Sequence, residues 1–102
     1  MSMLSSAVAA VEPATGSATV NALFHVTGEA HPGLLSRLIE PVAKLGAVPT
    51  RVHASREAGD GSEMTVDMRL ADVSPRTAEL VGMALRAIVG VSHVMSVVEN
   101  RR

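Results

Sequence analysis

Val20-Asn21-Ala22-Leu23-Phe24-His25-Val26-Thr27-Gly28-Glu29-Ala30-His31-Pro32-Gly33-Leu34-Leu35-Ser36-Arg37-Leu38 is the stretch from which the fold can be read. At its start Val20, Ala22, Phe24 and Val26 alternate with Asn21, Leu23, His25 and Thr27, the period of a β-strand. Leu23 blurs the alternation, as in a strand covered on both faces. Gly28 to Gly33 breaks the pattern. Beyond it Leu34, Leu35, Leu38, Ile39, Val42 and Leu45 fall on one side of a helical period, while Ser36, Arg37, Glu40 and Lys44 take the other. Pro32 is placed to pre-set the first helical turn, Glu40 and Lys44 form a favourable i,i+4 pair, and Gly46 sits where a left-handed cap ends a helix. Pro41 lies inside this helix and removes the hydrogen bond to the carbonyl of Arg37, so a kink is expected there, with Val42 and Leu45 still buried.

Working outward, Val48, Thr50, Val52 and Ala54 alternate with Pro49, Arg51, His53 and Ser55. After the turn-like Ala58-Gly59-Asp60-Gly61, Met64, Val66, Met68 and Leu70 alternate with Thr65, Asp67 and Arg69. These are two strands of a hairpin, and Pro49, which cannot donate a ladder hydrogen bond, moves the first of them to a sheet edge. Ser74-Pro75 opens a second helix with a capping hydroxyl and a proline at the first helical position. Its apolar stripe is Leu80, Val81, Ala84, Leu85 and Ile88. Gly82 points away from that stripe, either without consequence or to let another group approach closely, and Gly90 closes the element. Val91 to Val98 is a fourth strand, and Glu99 to Arg102 a polar end.

The order is βαββαβ. Right-handed crossovers then place four antiparallel strands in the order 4-1-3-2 with both helices on one face, an α+β ferredoxin-like sandwich. The helix-facing residues are Val20, Ala22, Phe24 and Val26 in the first strand and Val48 and Val52 in the second. The opposite sheet face and the strand edges carry apolar groups without a partner in the chain, which predicts a homodimer or higher oligomer. Residues 1–17 are small and turn-rich and are expected to form a flexible leader. The domain is expected over 18–99, with 100–102 a polar tail.

Composition narrows the function. Of 102 residues 47% are hydrophobic and 1% aromatic, so a chain of one domain's length has an almost purely aliphatic core. Phe24 alone cannot supply the stacked rings of a single-strand nucleic-acid platform, and nine Lys+Arg against ten Asp+Glu leave no basic footprint for a phosphate backbone. Without cysteine there is no disulfide scaffold, thiolate metal site or thiol nucleophile. No apolar run is long enough to span a membrane, and the N-terminal stretch lacks the basic region of a secretory signal, which points to the cytoplasm.

The four histidines do not make a metal site in this topology. His25 and His53 point to the outer face, joined by His93 if the register allows, with Asp67 as acidic company. They sit on strands separated by a third, about 9–10 Å apart, too far to share one ion. No cofactor motif and no catalytic Ser-His-Asp set or phosphate-cradling glycine run is present, so a non-enzyme is expected. The feature that stands out is the loop Ala30-His31-Pro32-Gly33-Leu34. It is either a plain helix start or, through its free N–H groups and macrodipole, a receptor for a small carboxylate such as an amino acid.

The run His31-Pro32-Gly33-Leu34-Leu35-Ser36-Arg37-Leu38 after a strand, followed by Gly46 before the next, resembles the start of an ACT domain, and the likeness extends over residues 20–98. The segments from Met68 to Leu80 and from Val91 to Val94 are similar to the short regulatory subunit of acetolactate synthase. The resemblance implies a regulatory module that pairs with a second copy, binds a large catalytic subunit of branched-chain amino-acid biosynthesis and holds an amino-acid effector at the interface. Carried over, the effector site is Ala30, His31, Pro32, Gly33 and Leu34, with Val48 and Pro49 from the neighbouring subunit. Valine-sensing members carry side-chain amides where this chain has Ala30 and Val48, which argues against feedback by valine. The alternative is an amino-acid sensor with no fixed enzyme partner.

Overall fold

The computed structural model describes residues 18–57 and 59–100. The expected leader, residues 1–17, together with Ala58 and the terminal Arg101-Arg102, lies outside the described residues. The elements are β1 (Val20–Glu29), α1 (Leu34–Lys44), β2 (Pro49–Arg56), β3 (Glu63–Val73), α2 (Pro75–Arg86) and β4 (Val91–Asn100). They form one antiparallel sheet in the order β2-β3-β1-β4, the ferredoxin-like arrangement read from the sequence.

The core is the even-numbered face of the central strands against one side of each helix. Ala22, Phe24 and Val26 of β1 and Val66, Met68 and Leu70 of β3 are all buried, and Leu34, Leu38 and Val42 of α1 and Ala78, Val81 and Leu85 of α2 close over them. At ~25 cal/mol per Å² of apolar surface removed from water, each such side chain contributes roughly 1.5–3 kcal/mol. In α2, Ser74 accepts the N–H of Thr77 at 3.0 Å and Pro75 is the first helical residue, as its sequence signature requires. Gly59 and Gly61 both have positive φ in the β2–β3 turn, where Asp60 accepts the Ser62 N–H at 2.9 Å. Those hydrogen bonds to Ser62 hold the Asp60 carboxyl below the ordinary carboxylate range.

Several expectations are corrected. β1 continues through Gly28 to Glu29, because Gly28 is paired with both Met64 and Val91. β4 runs on to Asn100, opposite Val20, so the polar end begins inside the strand. Pro32 stands in the turn before α1, not in its first turn, and the helix continues across Pro41 to Lys44. Leu35 and Leu45 are both 37% exposed, so the buried stripe of α1 is only Leu34, Leu38 and Val42. Val48, which precedes β2, is 81% exposed, and Val52 within it 39%, because this edge of the sheet lies past the shelter of the helices. The buried face of α2 is rotated from the expected stripe to Ala78, Val81, Gly82 and Leu85. Gly82 faces inward, and a Cβ there would lie 3.4 Å from a ring carbon of Phe24. That is an ordinary contact, and the nearest atom to such a Cβ would be Arg86 Nη1 at 3.0 Å, the end of a flexible side chain.

Candidate functional site

Two regions gather polar side chains, the loop end of the sheet and its outer face. At the loop end, β1 leaves the sheet and is tied down at once: the Glu29 N–H donates to the Gly90 carbonyl at 2.9 Å and the Ala30 N–H to the Ser62 carbonyl at 3.0 Å. Three connections therefore meet at one end, the β1–α1 loop, the β2–β3 turn and the α2–β4 loop. Gly28 makes this possible, since a Cβ there would stand 2.7 Å from the Gly90 carbonyl oxygen and 2.9 Å from Leu34.

The α1 start has no side-chain cap. Its neighbourhood is not simply open, because His31 Nδ1 accepts the Gly33 N–H at 3.2 Å. Ala30, His31 and Pro32 line a shallow cavity of about 380 Å³ together with Arg56 and Met64. Arg56 was not a sequence candidate, yet it brings a guanidinium to the edge of the loop while its Nε donates to the Gly61 carbonyl at 2.8 Å. Leu34, a candidate, is fully buried and serves the core. Gly33 has ordinary backbone angles, φ −88°, and open space around its Cβ position beyond His31 and Arg37. Val48 and Pro49 lie at the far end of the sheet from this loop: Pro49 is opposite Leu70, whereas Arg56 is opposite Met64 and Met64 opposite Gly28. Within one chain the seven candidates do not form a single site.

On the outer face the register sets the rows. His53, Asp67, His25 and Met95 lie side by side across the four strands, with Arg51, Arg69, Leu23 and Val97 in the next row. His25 Nδ1 and Asp67 Oδ1 are 2.6 Å apart, with side chains 44% and 56% exposed. His93 belongs to the same face, opposite Thr27. Asp67 therefore stands between the two histidines that the sequence placed on this face. Among the described residues no group of three His, Cys, Asp or Glu is arranged to hold a metal ion. The apolar surplus expected over the whole face is confined to the β1–β4 side, at Leu23, Met95 and Val97. The Arg51–Arg69 pairing was legible only once the turn and register were known.

The comparisons agree on the fold. A family model described as an ACT-like domain matches residues 15–100. Among curated proteins none matches the chain. Among solved structures, the ACT domain from GTP pyrophosphokinase of Chlorobium tepidum is similar at TM-score 0.63 and 14% identity, covering 76% of this chain and 96% of that one. The C-terminal domain of the MgtC protein from Mycobacterium tuberculosis is similar at TM-score 0.62 and 16% identity, covering 86% and 93%. The regulatory subunit of aspartate kinase from Thermus thermophilus gives TM-score 0.56 and 15% identity, covering 78% of this chain and 56% of that one.

Proposed function

The chain belongs to the ACT-like domain family, and on that premise we propose that it is a non-catalytic regulatory protein that pairs with a second copy and modulates an enzyme of amino-acid biosynthesis. The partner we propose is the catalytic subunit of acetolactate synthase, in the cytoplasm, because the second half of the chain resembles that enzyme's short regulatory subunit. The observation that carries the regulatory reading is the loop end of the sheet. Ala30, His31 and Pro32, just ahead of an uncapped helix start, line a cavity of about 380 Å³ with Arg56 and Met64 at the end of an edge strand, where a neighbouring subunit's Val48 and Pro49 could complete it. β2 and β4 are the two edges, and each offers a row of backbone groups for pairing. A similar fold, in the aspartate kinase of Thermus thermophilus, is named as a regulatory subunit.

The mechanism is a coupling free energy between this subunit and a distant active site, typically about 1–3 kcal/mol. The chain contributes no reacting group. Mixing it with the catalytic subunit is expected to give co-elution and a changed rate of acetolactate formation. Unchanged turnover together with separate elution overturns the partner assignment.

The cavity at the loop also favours a second reading, an amino-acid sensor without a fixed enzyme partner. Calorimetry with a panel of amino acids then finds a ligand, and Gly33→Val abolishes its binding. A Cβ at this position makes only ordinary contacts, with His31 and Arg37 at 3.6–3.8 Å, and an unchanged urea midpoint in Gly33→Val would separate lost binding from unfolding. Absence of binding at about millimolar concentration sinks this reading.

A further inference from the structure

The outer face of the sheet holds a cavity of about 330 Å³ that spans all four strands and is separate from the loop. One wall is basic. Arg51 of β2 and Arg69 of β3 are direct cross-strand partners on the same face, a like-charge arrangement that destabilises a sheet. Among the described residues neither guanidinium has a hydrogen bond or ion pair, although Arg56, Arg76 and Arg86 each find an acceptor. The adjacent carboxylate, Asp67, lines the same cavity, is engaged by His25 at 2.6 Å and makes no ion pair with either guanidinium. The opposite wall is aliphatic: Leu23 lies opposite Arg69, Val97 opposite Leu23, and Met95 one row along, with Met95 and Val97 about half exposed.

We infer that this face binds a small aliphatic carboxylate, its anionic head between Arg51 and Arg69 and its chain over Leu23, Met95 and Val97. The planar, bidentate geometry of guanidinium suits a carboxylate. Strands about 4.8 Å apart set the head and the aliphatic wall roughly 10 Å from each other, within reach of a branched chain once the arginine side chains extend toward it. The volume lies at the small end of ligand cavities. A simple inorganic anion would use the arginines and leave the aliphatic wall wet, so the wall selects the chain.

The probe is 4-methylpentanoate, added to the full chain with methyl-labelled Leu, Val and Met observed by NMR, and acetate and inorganic phosphate as controls. The expected result is a saturable shift at Leu23, Met95 and Val97, at least about tenfold weaker binding of acetate and phosphate, and about tenfold or greater loss in Arg51→Gln/Arg69→Gln. Gly33→Val leaves this binding unchanged, which separates it from the loop site. Equal affinity for acetate, unchanged binding in the double variant, or no shift at these methyls overturns the inference. So does a dimer that dissociates on Met95→Glu, which would assign the face to a second copy.

Discussion

The even-numbered and odd-numbered faces of the sheet are built from the same strands, one residue out of step, and they differ in almost every physical respect. On the even face Ala22, Phe24, Val26, Val66, Met68 and Leu70 are all within 2% of full burial. On the odd face Arg51, His53, Asp67 and Arg69 are exposed beside a narrow aliphatic strip. The helices explain the difference, since both lie on the even side and cover the apolar surface of its central strands. What remains on the odd side is free to carry charges in costly arrangements, because the stability of the fold does not depend on them. The lesson is a division of labour by residue parity, and substitutions on the two faces are the means to break it.

The largest effect is expected at Phe24, the ring on which Gly82 of α2 rests. Phe24→Ala removes the largest buried side chain and should cost about 3–5 kcal/mol in urea unfolding. A loss below about 1 kcal/mol would mean that the even face does not carry the core. Next comes Gly28, also on the even side but at the loop end. Gly28→Ala forces a methyl against the Gly90 carbonyl and Leu34, with an expected cost of about 1–3 kcal/mol. Because Leu34 begins α1, the same variant should also disturb the loop site, which a core variant far from it would not.

The sign reverses on the odd face. Arg51→Thr relieves the opposed guanidiniums, so it should stabilise the chain by roughly 0.2–1 kcal/mol at low salt, and added salt should shrink the gain by screening the wild-type repulsion. A destabilised variant would mean that Arg51 already has an acceptor in solution and would remove the strain that singles out this wall.

How much of this was legible in the sequence follows from the same parity. The alternation of Val20 to Val26 identified the buried set of β1 correctly, because that strand is central and its inner face is covered. The same alternation in Val48 and Val52 misled, since periodicity reports which way a side chain points and not whether anything stands over it. Helix phase also failed at Gly82. A stripe phased on Leu80, Ala84 and Ile88 puts Gly82 on the outer side, whereas the buried set is Ala78, Val81, Gly82 and Leu85. The loop candidates Ala30, His31 and Pro32 do come together, but Arg56 entered their cavity through strand register, and register rests on the β2–β3 turn more than on any local motif.

The smallest expected effect gives the sharpest test of parity, because it compares neighbours. Val94 and Met95 adjoin in β4; Val94 packs against the core from the even side, and Met95 is 55% exposed opposite His25. Val94→Ala removes half-sheltered methyl groups and should cost about 1 kcal/mol, whereas Met95→Ala should stay within about 0.5 kcal/mol of wild type. A larger cost at Met95 than at Val94, measured at protein concentrations where the chain is monomeric, would show the odd face bearing stability after all. Equal small costs would instead place the edge of the core between β1 and β4, leaving parity intact only in the central strands.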